Sequence, residues 1–203
     1  RLWDAFRIGK RSQGFEIRNA WVTNNRDDCV ENDFLMSGKI TNSLFDGCFV
    51  GISLAPRGKP DRRAEIEMDR VLLRLKAYDY KGKVRHGLPF KLRGKPPKLT
   101  IRNSVFAAEN GNIIGAPYVE TLWKSVERCS NNVFLWLGEG EPPAFYGLLP
   151  DCFQVVSGST ATAVWNRVRE NWINCNGRMD RLATDPTPLQ SRCVDDVLSE
   201  FRG

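Results

Sequence analysis

Four carboxylates fall within seven residues at Asp27, Asp28, Glu31 and Asp33, with Asn32 among them. Oxygen ligands at that density suit Ca²⁺, a hard cation that gathers several carboxylate and amide oxygens. A close carboxylate pair can also split its pKa values and divide the roles of acid and base. The competing reading is structural: Asp28 and Asn32 would satisfy backbone amides at a corner, with the remaining acids in water. A second constellation is cationic, comprising Arg74, Lys76, Arg85, His86, Lys91 and Arg93. Arginine grips a carboxylate through its planar fork. A lysine crowded by other cations gives up its proton more readily and can serve as a base, and histidine moves protons near neutral pH. Lys76, Lys91, Arg74 and His86 are therefore candidate catalytic residues, and Arg85 and Arg93 candidate substrate-binding ones. The plain alternative is a set of solvated cationic strands. His86 is the one histidine and no Cys-x-x-Cys pair occurs, which argues against zinc and leaves a nucleophilic triad only that residue to rest on.

The elements that must position these groups belong to a chain of 203 residues, room for one domain with a sizeable core. A hydrophobic share of 41% and a charged share of 27% exclude collagen, a coiled coil and a disordered tail. No run of about 18 apolar residues is present, so no membrane span is expected. The net charge of +6 is unevenly placed. From Arg57 to Lys98 there are 14 basic and five acidic residues, or +9, and the rest of the chain carries 16 minus 19, or −3. A cationic segment on a mildly acidic body suits a polyanionic partner, unless it is simply a solvated lysine-rich loop. No recognised nucleic-acid motif accompanies it, which speaks against a nucleic-acid partner. Cys29, Cys48, Cys129, Cys152, Cys175 and Cys193 make an even number that fits an exported, partly bridged protein, secreted or periplasmic. The sequence opens at Arg1 with no leader, so upstream turns and any export signal are expected to lie outside it.

Internal similarity is the strongest signal for architecture. Ile17-Arg18-Asn19-Ala20-Trp21-Val22 recurs as Ile40-Thr41-Asn42-Ser43-Leu44-Phe45 and as Ile101-Arg102-Asn103-Ser104-Val105-Phe106, with a weaker copy in Cys129-Ser130-Asn131-Asn132-Val133-Phe134. The offsets are 23, 61 and 28 residues, the middle one wide enough for a further copy beside the basic segment. Short β-prone segments that cannot bury an apolar side alone gain a continuous core by stacking. An Asn repeated at one corner can stack and hydrogen-bond along the pile, as amides do in cross-β ladders. Asp27-Asp28-Cys29 and Asp46-Gly47-Cys48 align once an insertion is allowed, which puts Cys29 and Cys48 at equivalent places as stacked thiols or a bridge.

Within 57–98, Ala64, Ile66 and Met68 alternate with acids, and Val71, Leu73 and Leu75 alternate with Leu72, Arg74 and Lys76. The pattern predicts strands forming a basic excursion from the stack, with the cations pointing away from the core. Trp123, Trp136, Phe145 and Tyr146 could stack on sugar rings if exposed, but packing at the end of the core is the default for such residues. Ser159 or Thr160 can cap a helix to about residue 174, with Val164, Trp165, Val168 and Trp172 on one stripe. A second helix from about Leu189 would group Cys193, Val197 and Phe201. These helices are expected to cover the end of the stack, since an open β edge invites aggregation.

Laid out this way, the chain resembles the right-handed parallel β-helix proteins of the pectate-lyase-like superfamily, over roughly residues 15–140. The resemblance implies an all-β fold: a right-handed parallel β-helix (solenoid) over about 1–156, with a basic strand and loop excursion over about 57–98. C-terminal capping helices over about 157–203 complete one domain. It also implies action on an acidic polysaccharide. The lyases of that superfamily cleave uronate glycans by β-elimination with Arg or Lys bases, often with Ca²⁺, and Arg74, Lys76 and Lys91 match by residue type. For this chain Asp27, Asp28, Glu31 and Asp33 are the metal candidates. Asp27-Asp28-Cys29 is similar to the Asp-Asp-Cys motif of polygalacturonase-type hydrolases. Their Asn-Thr-Asp is absent, however, and Arg74-Leu75-Lys76 and His86-Gly87 come in a different order, so the hydrolase mechanism is not carried over. The alternatives to a lyase are a non-catalytic β-helix that binds glycan or joins a surface assembly, and a hydrolase of that type.

Overall fold

The computed structural model describes residues 4–56, 64–80, 82–85, 88–94, 97–109, 123–143, 148–176 and 189–201. Its strands are β1 (Phe6–Arg7), β2 (Phe15–Arg18), β3 (Trp21–Glu31), β4 (Gly38–Leu54), β5 (Glu65–Leu75), β6 (Tyr78–Tyr80), β7 (Lys83–Arg85), β8 (Phe90–Leu92), β9 (Lys98–Arg102), β10 (Val105–Ala108), β11 (Val126–Ser130), β12 (Asn132–Trp136) and β13 (Phe153–Ser157). Eleven of them form one long sheet whose pairings are parallel throughout, while β6 and β7 make a separate antiparallel pair. The protein is mostly β, as the sequence predicts.

The long sheet follows three tracks of stacked residues. On the first, Ile17, Ile40, Met68, Ile101 and Cys129 are in register across β2, β4, β5, β9 and β11. On the second, Val22, Phe45, Leu73, Phe106, Phe134 and Val155 are in register across β3, β4, β5, β10, β12 and β13. The third aligns Phe6, Val30, Ile52 and Phe90 across β1, β3, β4 and β8. Strand β4 serves all three tracks and turns at Asn42 (φ 44°) and again at Gly47 (φ 93°).

The repeated Asn marks the corner between the first and second tracks. Asn19, Asn42, Arg70, Asn103 and Asn131 all sit there with φ between 44° and 54°. Asn tolerates this left-handed backbone better than most residues bearing a Cβ, because its short amide can bond locally. The amides also bond to one another: Asn42 Nδ2 donates to Asn19 Oδ1 at 2.7 Å, and Asn131 Nδ2 to Asn103 Oδ1 at 2.8 Å. At the middle copy the corner residue is Arg70, and the neighbouring Asp69 Oδ1 accepts the bond from Asn103 Nδ2 at 2.8 Å. Met68-Asp69-Arg70-Val71-Leu72-Leu73 is thus a further copy of the repeat, hidden because its corner lacks an Asn.

That copy corrects the extent of the basic excursion. Strands β5 and β8, placed within it on sequence grounds, are paired into the long sheet, and among the described residues β6 and β7 are the strands that leave it. The reason is burial: Ile66, Met68, Val71, Leu73, Leu75, Phe90 and Leu92 all enter the main core. Trp123 closes the far side of that core against Phe90, Phe106 and Phe153, with ring centroids 5.2–6.4 Å apart. Trp136 is buried as well, so both act as core packing, while Phe145 and Tyr146 lie outside the described residues.

Helices α1 (Gly158–Asn176) and α2 (Leu189–Leu198) form close to the predicted ranges, but α1 begins at Gly158, so Ser159 and Thr160 lie within it rather than capping it. Their placement differs from the expectation that they cover the end of the stack. They lie against the outer face of the second track, where Leu44, Leu72, Val105, Ala107, Val133 and Leu135 pack on Ala161, Val164, Trp165, Val168, Trp172 and residues of α2. The second-track strands are apolar at both parities, so one face fills the core and the other needs a cover. Burying each of those Leu and Val side chains contributes about 1.5–3 kcal/mol. Disulfides join Cys29 to Cys48 and Cys129 to Cys152, and Cys175 is bridged too. Cys29 and Cys48 are therefore a bridge rather than a pair of thiols, although they are not at equivalent places, since the register sets Cys48 opposite Asn25. Among the described residues no helix is long and apolar enough to cross a membrane.

Candidate functional site

On the third track Arg7, Glu31, Ser53 and Lys91 stand side by side in register, contributed by β1, β3, β4 and β8. Arg7 Nε bonds Glu31 at 2.9 Å. Lys91 Nζ reaches Asp28 Oδ2 at 3.4 Å, with the lysine side chain 43% exposed and the aspartate 3%. The other oxygen, Asp28 Oδ1, is buried and has no hydrogen-bond partner among the described residues. Asp4, Asp28 and Glu31 each bring one carboxylate oxygen to within 4.8 Å of the others.

Packing carboxylates into so little water raises their proton affinity. Burial pushes Asp28 up to about 7; the Lys91 ammonium opposes this, and Asp27 and Asp4 add to it. Burial also raises Asp27, against the pull of Lys91. Glu31 is raised first by burial and then by the Asp4 carboxyl beside it, while Arg7 opposes. The result is a proton-hungry acidic cluster with a half-exposed ammonium at its edge. The donor set fits a hard divalent cation: three converging carboxylates, one with a buried oxygen lacking any donor among the described residues.

Of the sequence-predicted metal ligands, Asp28 and Glu31 converge. Asp27 lies half-buried beside Lys91, and Asp33 is drawn elsewhere, its Oδ1 accepting from Ser53 Oγ at 2.7 Å and the Ala55 amide at 3.2 Å. Asn32 stays structural, its amide pinning Met36 through both backbone groups, as the corner reading predicts. Asp4 and Arg7 escaped the sequence reading. Their signal was register: Asp4 precedes Asp28 by 24 residues, close to the 23 that separate Asn19 from Asn42.

Among the described residues the cationic side chains have different partners. Arg74 is tied into an ion-pair network, with its Nε 2.6 Å from Asp46 and its Nη1 3.1 Å from Glu109, while Arg169 of α1 reaches the other oxygen of Asp46 at 2.6 Å. Lys76 Nζ donates to Asn24 Oδ1 at 3.2 Å. Arg93 is exposed after β8. Arg85 lies in β7, and its side chain and His86 are outside the described residues. Lys91 is the candidate base that meets the acidic cluster.

A separate open groove of about 790 Å³ runs over the outer face of the first track, a feature absent from the sequence reading. Its charges are matched: Lys39 and Arg102 both bind Glu67, and Lys98 lies 3.5 Å from Glu127. Burial works against the charge on Glu67, yet the bonds from Lys39 and Arg102 hold it below the ordinary carboxylate range. The fold and these sites define a mostly β, disulfide-bridged protein built on a long parallel sheet. No family model, curated protein or solved structure matches the chain.

Proposed function

We propose that the protein is a right-handed parallel β-helix of an oxidising, secreted or periplasmic setting that cleaves uronate-containing polysaccharide by β-elimination. The three tracks, the left-handed corners and the amide ladder support the fold, and the disulfides support the compartment. The observation that carries the activity is the meeting of Lys91 with Asp28 and its carboxylate neighbours.

In this reading Lys91 is the base that takes the proton beside the uronate carboxylate. The electron pair of that C–H bond becomes the new C=C bond, and the C–O bond to the next sugar breaks, its oxygen taking a proton. Asp28 is too buried to touch substrate and positions Lys91, whose acquired proton passes to water. Asp27, half-buried beside Lys91, is the candidate donor to the leaving oxygen. Asp4, Asp28 and Glu31 would hold Ca²⁺, which when bound neutralises the substrate carboxylate.

The test is incubation with pectate, alginate and glycosaminoglycans, with and without Ca²⁺, following unsaturated-uronate absorbance alongside reducing ends. New absorbance that Lys91→Ala abolishes without lowering Tm is the expected result. Reducing ends alone would replace elimination with hydrolysis. A second reading, a non-catalytic β-helix that binds glycan, is favoured by the neutralised groove and by the commitment of Arg74 to structural ion pairs. Retained binding with no product from any polymer would select it.

A further inference from the structure

The outward row of the second track begins at Trp21 and continues through Leu44, Leu72, Val105 and Val133. The helices cover this row from Leu44 onward, but Trp21 remains 49% exposed and is the one exposed large aromatic among the described residues. Its ring is firmly mounted. Trp172 packs edge-on against it at 6.2 Å, and Trp172 is itself buried and donates from Nε1 to the Asn42 carbonyl at 3.2 Å. The corner that precedes it in the chain carries polar groups. Asn19 gives its Oδ1 to Asn42, and its Nδ2 has no protein partner among the described residues. Arg18, 54% exposed, is paired with Glu16 at 3.5 Å. Asn176, at the end of α1, completes the amide cluster by accepting a second bond from Asn42 Nδ2 at 2.9 Å.

An exposed indole face two residues beyond an amide donor matches the chemistry of a pyranose. The apolar C–H face of the sugar covers the ring and the amide binds a hydroxyl. We infer that Trp21 and Asn19 form a glycan-binding subsite for one sugar unit, on a different track from Lys91. The inference rests on the polysaccharide reading above and gives it a place for a further part of the polymer.

The experiment titrates the wild-type protein and its Trp21→Ala and Trp21→Phe variants with galacturonate and alginate oligomers, measuring affinity by calorimetry. Where turnover occurs, KM and kcat are measured too. Loss of the stacking ring should weaken binding roughly three- to tenfold and raise KM by the same factor with kcat unchanged. Trp21→Phe, which keeps an aromatic face, should fall between the two. Bound oligomer should also shield Trp21 of the wild-type protein from N-bromosuccinimide, read by mass spectrometry on the tryptic peptide Asn19 to Arg26. Wild-type-like affinity in both variants, or oxidation of Trp21 unchanged by ligand, would overturn the subsite while leaving the polysaccharide reading intact. Wild-type protein that neither binds nor cleaves any polymer would remove both.

Discussion

Replacing Asp28 with Asn should make the protein more stable at alkaline pH, although it removes a salt bridge. The carboxyl is 3% exposed, one of its oxygens has no donor among the described residues, and burial has lifted its pKa from 3.8 to about 7. A group whose folded pKa is raised contributes its stabilisation below the unfolded value and loses it as pH climbs to the folded one. Wild-type stability should therefore decline between about pH 4 and pH 7, and the gap between 3.8 and about 7 corresponds to about 4 kcal/mol for this group alone. Asparagine keeps the shape and carries no charge, so the variant should lack that part of the decline. Lys91 loses its partner, but with its side chain 43% exposed it can turn to water at small cost. Urea unfolding of both proteins at pH 4, 5.5 and 8 measures the effect. Near-equal stability at pH 4 is expected, with the variant ahead by about 2–4 kcal/mol at pH 8. Millimolar Ca²⁺ at pH 8 should raise the wild type and leave the variant unchanged, because the cation satisfies the charge that Asn lacks. Parallel pH curves for the two proteins, or a variant weaker at pH 8, would refute the burial argument.

The corner ladder gives a second prediction. Asn103→Ala forces a Cβ-bearing residue without an amide to hold φ 49° and removes bonds on both sides, so a loss of about 2–3 kcal/mol is expected in chemical denaturation. Asn103→Gly restores the backbone freedom but not the bonds and should lose about half as much. If the two variants are equally stable, the left-handed corner is not what selects Asn. A third concerns the tie between sheet and helix: Asp46→Ala would leave Arg74 and Arg169 without the acid they share and should lower stability by about 3 kcal/mol. Thermal unfolding indistinguishable from wild type would show that the network contributes nothing.

Much of the fold was legible because it repeats. Each Asn corner announces the same backbone problem, and period-two alternation tells which side chains face inward, so stacking could be read before any contact was known. The copy at Met68 to Leu73 escaped because Arg70 occupies the corner and Asp69 supplies the ladder oxygen; a repeat defined by geometry can change residues while keeping its hydrogen bonds. Both helices were also visible, from their apolar stripes. Where they dock was not, since the outward apolar residues Leu44, Leu72, Val105 and Val133 reveal themselves as one surface only after the strands are in register.

The candidate site divides the same way. Sequence by itself determined that acids cluster from Asp27 to Asp33 and that cations follow from Arg74 to Arg93, because charge and spacing are local properties. Only the tertiary structure decided that Lys91 meets Asp28, that Asp4 joins them, and that Arg74 is committed to Asp46 and Glu109. Proton affinity depends on how much water is excluded and on which charges stand within a few ångströms. Those quantities arise when strands distant in sequence come to lie side by side.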